Sequence, residues 1–458
     1  MISYIRFIVI YVIIVITALA AQAVSASEEY SLEDLYRIAL ERSEKIRISG
    51  EDVYLSESGK EKALSALLPK FSAFWDYTRY TEQKSFTQAV TPFVIQPQYS
   101  VTWGVRLDQS VSLSGREITA FEISKKNIEK SKYDLSAVRE EYLFEVSSAY
   151  YDVLRAKSTV EIARTSVERL AKHRDAAAKR LKAGEVTKTA LLRAQAELSG
   201  AQAELVKAEN SLKLARAILA RLAGLREDYK LKEVAESADL GILPPDNGRS
   251  TVANLKEIAM SERAELKAIG LQKEIADDQV KYARGTYWPS LSIEGVYSRL
   301  KVEPSSPFFI DETIYGALNL NFPFFEGGLR KAEVRESEAR QRQALLALED
   351  LKKDITIQVE SAYLDFVTQQ GVLKSLEDQL TFAKDNYNAV SRQFEFGFAD
   401  SIEVMDANTL LVTAEKQLAN AKYDYQLSIL RVERSSGTLL KTVMNQPSSA
   451  VWKNLKEK

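Results

Sequence analysis

Two stretches of this chain contain no proline, residues 98–243 and 324–446, and that absence constrains the fold more than any single motif. A proline inside a helix removes a backbone hydrogen bond and costs about 3 kcal/mol, so long helices survive only where it is missing. The ten prolines fall at 69, 92, 97, 244, 245, 289, 304, 307, 323 and 447, and residues 117–183 and 398–436 lack glycine as well. Within these stretches apolar residues recur in alternating steps of three and four, the seam of a coiled coil. Val146, Ala149, Val153, Ala156, Val160, Ala163, Val167 and Leu170 form one run. Val359, Ala362, Phe366, Gln369, Leu373, Leu376, Leu380 and Ala383 form another, with Gln369 as its only polar break. The returning segments carry Leu198, Ala201, Leu205, Ala208, Leu212, Ala215, Leu219, Leu222 and Leu411, Ala414, Leu418, Ala421, Tyr425, Ser428, Val432. Large side chains alternating with small ones let helices approach closely, and charged residues between the seams suggest water on the remaining faces. At 1.5 Å per residue, a helix spanning 117–183 would be roughly 100 Å long, too long for the core of an ordinary globular enzyme.

The two stretches are copies of one unit. Ser148-Ala149-Tyr150 with Asp152 matches Ser361-Ala362-Tyr363 with Asp365; Gly115, Gly184 and Gly224 match Gly328, Gly397 and Gly437, all at an offset of 213. Leu68-Pro69 before Phe71 parallels Trp288-Pro289 before Leu291 at an offset of 220, so the first copy holds seven more residues between its proline and its glycine. Repeats of this kind set the architecture. The expected organisation is a signal peptide at 1–26, then repeat 1 at 27–243, with a helix, a strand hairpin at 70–112 and a long helix hairpin at 117–223. Repeat 2 follows at 244–440, with strand hairpin 290–323 and helix hairpin 329–436, and a C-terminal tail occupies 441–458.

The strand hairpins are read from alternation. Phe71, Ala73, Trp75, Tyr77 and Val101, Trp103, Val105, Leu107 flank a polar loop with Pro92 and Pro97; Leu291, Ile293, Gly295, Tyr297 and Gly316, Leu318, Leu320, Phe322 flank one with Pro304 and Pro307. The aromatics Trp75, Tyr77, Tyr80, Trp103, Trp288, Tyr297 and Tyr315 suit the belts of a membrane barrel. A small soluble sheet packed on the helices fits the pattern equally. Four strands cannot close a barrel, and an open edge in lipid leaves backbone groups unsatisfied. If the strands enter a membrane, several chains must share one barrel, and three would supply twelve strands.

Residues 7–21 are almost wholly apolar, follow Arg6 and precede small residues at 21, 23 and 26, the pattern of an export signal cleaved after Ala26 or after Ala23, with Ala26 favoured. A retained anchor is the alternative, disfavoured because no basic flank follows the run. After this segment no apolar stretch approaches the 18 residues of a helical membrane span. Cysteine is absent, excluding disulfides, thiolate metal sites and a lipid-modified cysteine. Lys plus Arg number 62 against 64 Asp plus Glu; loss of Arg6 with the signal leaves 61 against 64, about −3, which disfavours a nucleic-acid binder.

The segment Gly397–Leu439, with Ile402-Glu403-Val404-Met405-Asp406-Ala407, Leu418-Ala419-Asn420-Ala421, Tyr423–Tyr425 and Ser436-Gly437-Thr438-Leu439, resembles the TolC-type outer-membrane efflux proteins. So do its counterpart from Ala183-Gly184 to Ala223-Gly224 and the segments Ser31–Leu35, Glu262–Leu266 and Tyr287–Leu291, so the likeness runs over nearly the whole mature chain. The resemblance implies a mainly α protein with a small β part: a long antiparallel coiled-coil helical barrel in the periplasm, plus four strands per chain contributed to a shared 12-stranded trimeric outer-membrane barrel. It implies a homotrimer in contact with outer-membrane lipid, a periplasmic adaptor that meets tip turns at Gly184 and Gly397, and an inner-membrane transporter that supplies the energy. It also places a cation-selective periplasmic gate at Glu403 and Asp406, whose spacing of three sets both carboxylates on one helical face. From the residues alone, the pair reads as acids near a helix N-terminus, where the dipole favours them. Ala399 and Ala190 stand where some members of the family carry a basic and an acidic latch residue, so that latch does not carry over.

No catalytic constellation is present. The one histidine, His173, lies between Lys172 and Arg174 in an amphipathic helix and reads as solvated; there is no phosphate-binding glycine loop, no metal-ligand spacing and no nucleophile motif, so neither cofactor nor metal is expected. Gly327-Gly328 after Phe324-Phe325 marks a sheet-to-helix transition. The expected function is passive conduction through the outer-membrane tunnel of a tripartite efflux or type I secretion system. The alternative is a periplasmic coiled-coil adaptor or scaffold without a pore. Drugs, metal ions, a siderophore and a polypeptide all remain open as cargo.

Overall fold

The computed structural model describes residues 29–86, 93–226, 229–232 and 248–445. The signal at 1–26 with both cleavage points, Pro92, Pro244, Pro245 and the end of the tail lie outside the described residues. In chain order come β1 (Glu29–Tyr30), α1 (Leu32–Arg42), α2 (Glu44–Ser65), β2 (Lys70–Arg79), β3 (Lys84–Phe86), β4 (Phe93–Gln96) and β5 (Tyr99–Ser112). Then follow α3 (Arg116–Lys182), α4 (Lys188–Ala223), β6 (Lys230–Leu231), α5 (Gly248–Glu262), α6 (Ala264–Arg284), β7 (Ser290–Glu303), β8 (Glu312–Asn321), α7 (Leu329–Glu395), α8 (Ser401–Ser436) and α9 (Leu439–Asn445). The duplication is recorded in the helices themselves: α3 and α7 each hold 67 residues, α4 and α8 each 36. The chain divides into two compact units. One takes residues up to Arg47, Val138–Arg263 and Ile355 onward; the other takes Ile48–Ala137 and Ala264–Asp354.

In the first unit the heptad seams meet as the alternation of sizes requires. Val160 and Ala163 of α3 pack on Ala208 of α4, with Leu205 and Leu212 against them. Ala383 of α7 packs on Leu411 and Ala414 of α8, with Leu380 and Tyr387 beside them. Small residues facing large ones let the helices of each pair approach closely. A ladder of polar pairs joins α3 to α8. Arg155 donates to Asp424 at 2.6 Å, the Ser158 and Tyr423 hydroxyls lie 3.0 Å apart, and Arg169 donates two bonds to Glu415 at 3.1 and 2.8 Å. α1 begins at a capping box: Ser31 Oγ accepts from the Asp34 amide while Asp34 Oδ2 accepts from the Ser31 amide. Its buried Tyr36 places its hydroxyl 2.5 Å from Ser147 Oγ on α3. α8 stops at Gly437, where φ of +73° and contact with the Arg263 backbone leave no room for a side chain.

The second unit carries a four-stranded antiparallel sheet in the order β2-β5-β7-β8. β5 and β7 pair over fourteen residues, Tyr99 opposite Glu303 through Ser112 opposite Ser290. α3 starts where Gly115 turns the chain at φ +72° and Glu117 accepts from both the amide and the hydroxyl of Ser112. In the second copy Gly327 and Gly328, both at positive φ, lie between β8 and α7. The first copy's longer hairpin connection contains β3 and β4, and Phe93 of β4 lies tilted against Phe308 of the second connection with centroids 4.0 Å apart.

Three features depart from the sequence reading. The two-residue pair β1–β6, parallel, was not legible in the sequence. The expected tail from 441 is helical to Asn445. The outward faces of the long helices are not uniformly polar: Val206, Leu214 and Ile218 of α4 and Ile357, Leu364 and Phe382 of α7 are exposed. Charges between the seams hide this stripe from a reading that tracks only one apolar face.

Candidate functional site

In an antiparallel sheet, residues directly opposite each other share a face, so the register sorts every side chain. One face carries Phe71, Ala73, Trp75 and Tyr77 of β2, then Val101, Trp103, Val105, Leu107 and Val111 of β5. It continues with Leu291, Ile293 and Tyr297 of β7, and Ile314, Leu318 and Leu320 of β8, with Gln109 of β5 the polar member of the row of Ile293 and Leu318. The other face is mainly polar, with Lys70, Ser72, Asp76, Thr102, Arg106, Asp108, Ser110, Ser292, Glu294, Ser298, Thr313, Asn319 and Asn321, and also carries Phe74, Val296, Leu300 and Val302. This polar face has its own contacts: Arg106 Nε lies 3.6 Å from Glu294 Oε1, to which the Tyr315 hydroxyl donates at 3.0 Å. Tyr315 therefore stands on the polar face and does not join the belt to which the sequence reading assigned it. Its neighbours are Arg106 and Val296 across the ladder.

The apolar face is open. Trp75 is 66 % exposed and Leu318 71 %. A water-soluble sheet would cover such a surface, because apolar area left in water costs about 25 cal/mol per Å². Its ends are marked as a bilayer marks them. Trp75, Trp103 and Tyr77 lie towards the hairpin connections, near the charged Arg299, Lys301 and Glu312. Tyr287, Trp288, Phe322, Phe324 and Phe325 lie exposed at the opposite ends of the strands. From the row of Trp75 to Phe322 is about ten residues, roughly 34 Å of strand at 3.4 Å each. A tilt of about 40° reduces that to roughly 26 Å, the height of the apolar band of an outer-membrane barrel. The soluble-sheet reading is thus set aside.

The second cluster lies where the long helices turn. α3 gives way to α4 through Gly184 at φ +77°, whose amide donates to Leu181 O while that of Glu185 donates to Arg180 O. α7 gives way to α8 through Gly397 at φ +82°, with the Phe398 amide donating to Gln393 O. Only glycine adopts this left-handed conformation without strain, which is why both turns carry one. Thr187 caps α4 and Asp400 caps α8. Asp400 Oδ1 accepts from the amides of Ile402 and Glu403, and Glu403 Oε2 accepts from the Asp400 amide at 2.9 Å. This capping box exists only in the second copy, since the residue equivalent to Glu403 in the first is Ala190. Glu403 thus has a structural task besides any role in a pore. Glu403 and Asp406 are both exposed on one side of α8, together with Ile402 and Leu410, while Val404, Met405, Ala407 and Asn408 are buried.

The interior at this end is shared by four helices: Ala177 of α3, Ala194 of α4, Phe394 of α7 and Val404 of α8 pack together with Ala399. His173 belongs to this core. The sequence reading placed it in water, yet it is 6 % exposed, its Nε2 lies 2.8 Å from Ser401 Oγ, and its ring stands 4.6 Å from that of Phe394. The flanking Lys172 and Arg174 misled because helical neighbours at i±1 point to other faces. The partner, 228 residues away, was not visible. Burial holds the imidazole below its ordinary value. Arg180 closes the cluster, donating to Glu185 at 2.9 Å and to Phe394 O at 2.7 Å.

A chain with a two-faced sheet of bilayer height and long antiparallel coiled coils fits the class of outer-membrane channels. Residues 35–225 and 255–438 match the sequence model of the family described as outer membrane efflux protein, and the chain belongs to that family. It is similar to the outer membrane protein TolC of Escherichia coli, 23 % identical over 431 residues that cover 91 % of this chain and 84 % of the relative. It is also similar to the alkaline protease secretion protein AprF of Pseudomonas aeruginosa, 24 % identical over 418 residues, 89 % of this chain and 84 % of the relative. The crystal structure of the CmeC outer membrane channel of Campylobacter jejuni shares the fold, with a TM-score of 0.77 at 16 % identity, covering 93 % of this chain and 88 % of that one. The protein is an outer-membrane efflux channel that extends into the periplasm, and the scaffold alternative falls away.

Proposed function

We propose that three copies of this chain close one twelve-stranded barrel above a helical tunnel, and that the tunnel passively conducts cargo delivered by an inner-membrane pump. The supporting observation is the sheet itself. Its one apolar face suits lipid, and its outer strands β2 and β8 each pair on one side only among the described residues. Open edges within hydrocarbon leave backbone groups unsatisfied at several kcal/mol each, so the edges call for neighbouring copies. The exposed apolar stripes on α4 and α7 suit the same neighbours. The turns at Gly184 and Gly397 are the surfaces for a periplasmic adaptor, and Glu403 with Asp406 are the carboxylates of the gate. Six such groups brought together at a three-fold axis repel one another and attract cations.

Single-channel recording in planar bilayers tests this, comparing wild type with the double variant Glu403→Gln, Asp406→Asn. Glutamine retains the capping box, so the charge is removed without undoing the helix start. Small cation-selective currents that grow and lose selectivity in the variant are expected. Unchanged selectivity would move the gate elsewhere, and a protein that never conducts would remove the channel reading.

A further inference from the structure

His173 is the only histidine in the chain, and it sits at the joint between α3 and the first residue of α8, Ser401, which precedes the two gate carboxylates by two and five residues. We infer that His173 is a positioning residue for the gate: its neutral ring, bonded to Ser401, holds the first turn of α8 against α3, and protonation of the ring releases that turn. The inference rests on the reading of Glu403 and Asp406 as the gate.

The surroundings of the ring suit only its neutral form. Ser401 is the first residue of α8, so the imidazole faces the positive end of that helix, an unfavourable place for a cation. On its own helix the nearby charges are mostly cationic: Arg169, Lys172, Arg174 and Arg180. The acids within reach are committed. Glu415 accepts from Arg169, Asp175 lies 2.7 Å from Arg174, Glu185 pairs with Arg180, Asp400 caps α8 and Glu403 completes that cap. Asp406 is exposed on the far side of α8 from the buried Val404 and Met405. α7 presents Phe394 to the ring, with Arg392 and Glu395 exposed beside it; α4 packs with Leu191 and Ala194, its Lys188 and Arg193 exposed. An imidazolium here therefore loses its hydration without gaining a counter-charge.

The sign follows from linkage. When the turn separates, the ring regains water and its ordinary value near 6.5. The released state then binds a proton that the closed state excludes. The closed state is fully favoured above about pH 6.5 and loses ground as pH falls below it, by at most tenfold per pH unit for one proton. Between pH 7.5 and 5.5 the equilibrium moves towards release, by at most roughly tenfold.

Amide hydrogen exchange of residues 401–406 in the full-length trimer in detergent, wild type against His173→Gln at matched pH, reads this directly. Glutamine keeps a neutral hydrogen-bonding group and cannot titrate. The expected result is that wild-type protection relative to the variant falls from pH 7.5 to 5.5, by no more than about tenfold. Ser401→Ala should lower protection at both pH values. The rise in single-channel opening from pH 7.5 to 5.5 should be larger in wild type than in His173→Gln, because the gate residues are common to both proteins. Equal pH dependence of protection in wild type and His173→Gln overturns the inference. A pH-dependent protection ratio with no current from either protein upholds the latch and removes the channel gate instead.

Discussion

Leucine 107 gives the sharpest test of the membrane assignment. It lies on the apolar face in the row Phe71, Leu107, Gly295, Gly316, in a strand paired on both sides. That row is four residues below the row of Trp75 and Trp103, or roughly 10 Å after tilt, which sets it near the middle of a band about 25 Å tall. An arginine there on the lipid side of a barrel costs about 2–4 kcal/mol per strand. That is a loss of roughly 30- to 1000-fold in the folding equilibrium for each protomer, and three copies multiply it. Ser110→Arg is the control, three residues along the same strand but in the polar row Ser110, Ser292, Asn319. Equilibrium urea unfolding in vesicles, with heat-resistant trimer migration as a second readout, compares the two. Leu107→Arg should abolish or strongly weaken the trimer, and Ser110→Arg should stay within about 1 kcal/mol of wild type, the range of exposed substitutions. Equal damage from both, or none from either, would refute the two-faced barrel argument.

Four further outcomes follow from named contacts. Gly437→Ala should destabilise by about 1–3 kcal/mol in thermal unfolding, because the added Cβ meets the Arg263 backbone at 2.9–3.0 Å in a left-handed conformation; Gly184→Ala, with open space around it, should lose only about 1 kcal/mol. Arg169→Ala removes two bonds to Glu415 at a site mostly shielded from water and should cost about 1–3 kcal/mol by denaturant titration, with Arg169→Lys recovering part of it. Glu433 is buried and its carboxyl is pushed up to about 7, so the folded protein holds a proton that the unfolded chain releases near 4.5. Its contribution is fully present below pH 4.5 and is lost as pH rises through 7; Glu433→Gln should therefore be the more stable protein at pH 8, by on the order of 3 kcal/mol, and the difference should vanish by pH 4.

The helices were legible because their signals are local and redundant. Absence of proline, a 3–4 seam and paired glycines at one offset pointed to helix hairpins at 117–223 and 329–436, and the structure has Arg116–Lys182 with Lys188–Ala223 and Leu329–Glu395 with Ser401–Ser436, the inner ends lying two or four residues from the tip glycines. Alternation likewise sorted Trp75, Val105 and Leu291 onto one face. Tyr315 was misassigned although it is out of phase with Gly316, Leu318 and Leu320; an aromatic ring is as welcome in a polar row with a carboxylate acceptor as in a belt, and the register against Val296 places it there. His173 escaped for the complementary reason. Its place depends on how α3, α7 and α8 converge, and nothing in the residues beside it reports that convergence. Glu403 was read as a charge and proves also to be half of a helix cap, a role that the pattern Asp400-x-x-Glu403 carried in plain view.

The sides of β2 and β8 that are unpaired among the described residues bear on how the proposed three-chain barrel is made. A lone chain entering the bilayer would carry two rows of bare amides and carbonyls into hydrocarbon, so insertion by one copy at a time is strongly opposed. Membrane entry and association then become a single event whose rate rises steeply with local chain concentration. A variant that folds its coiled coils but blunts one strand edge should act on its neighbours, stalling intact chains alongside it and lowering channel number by more than its own share.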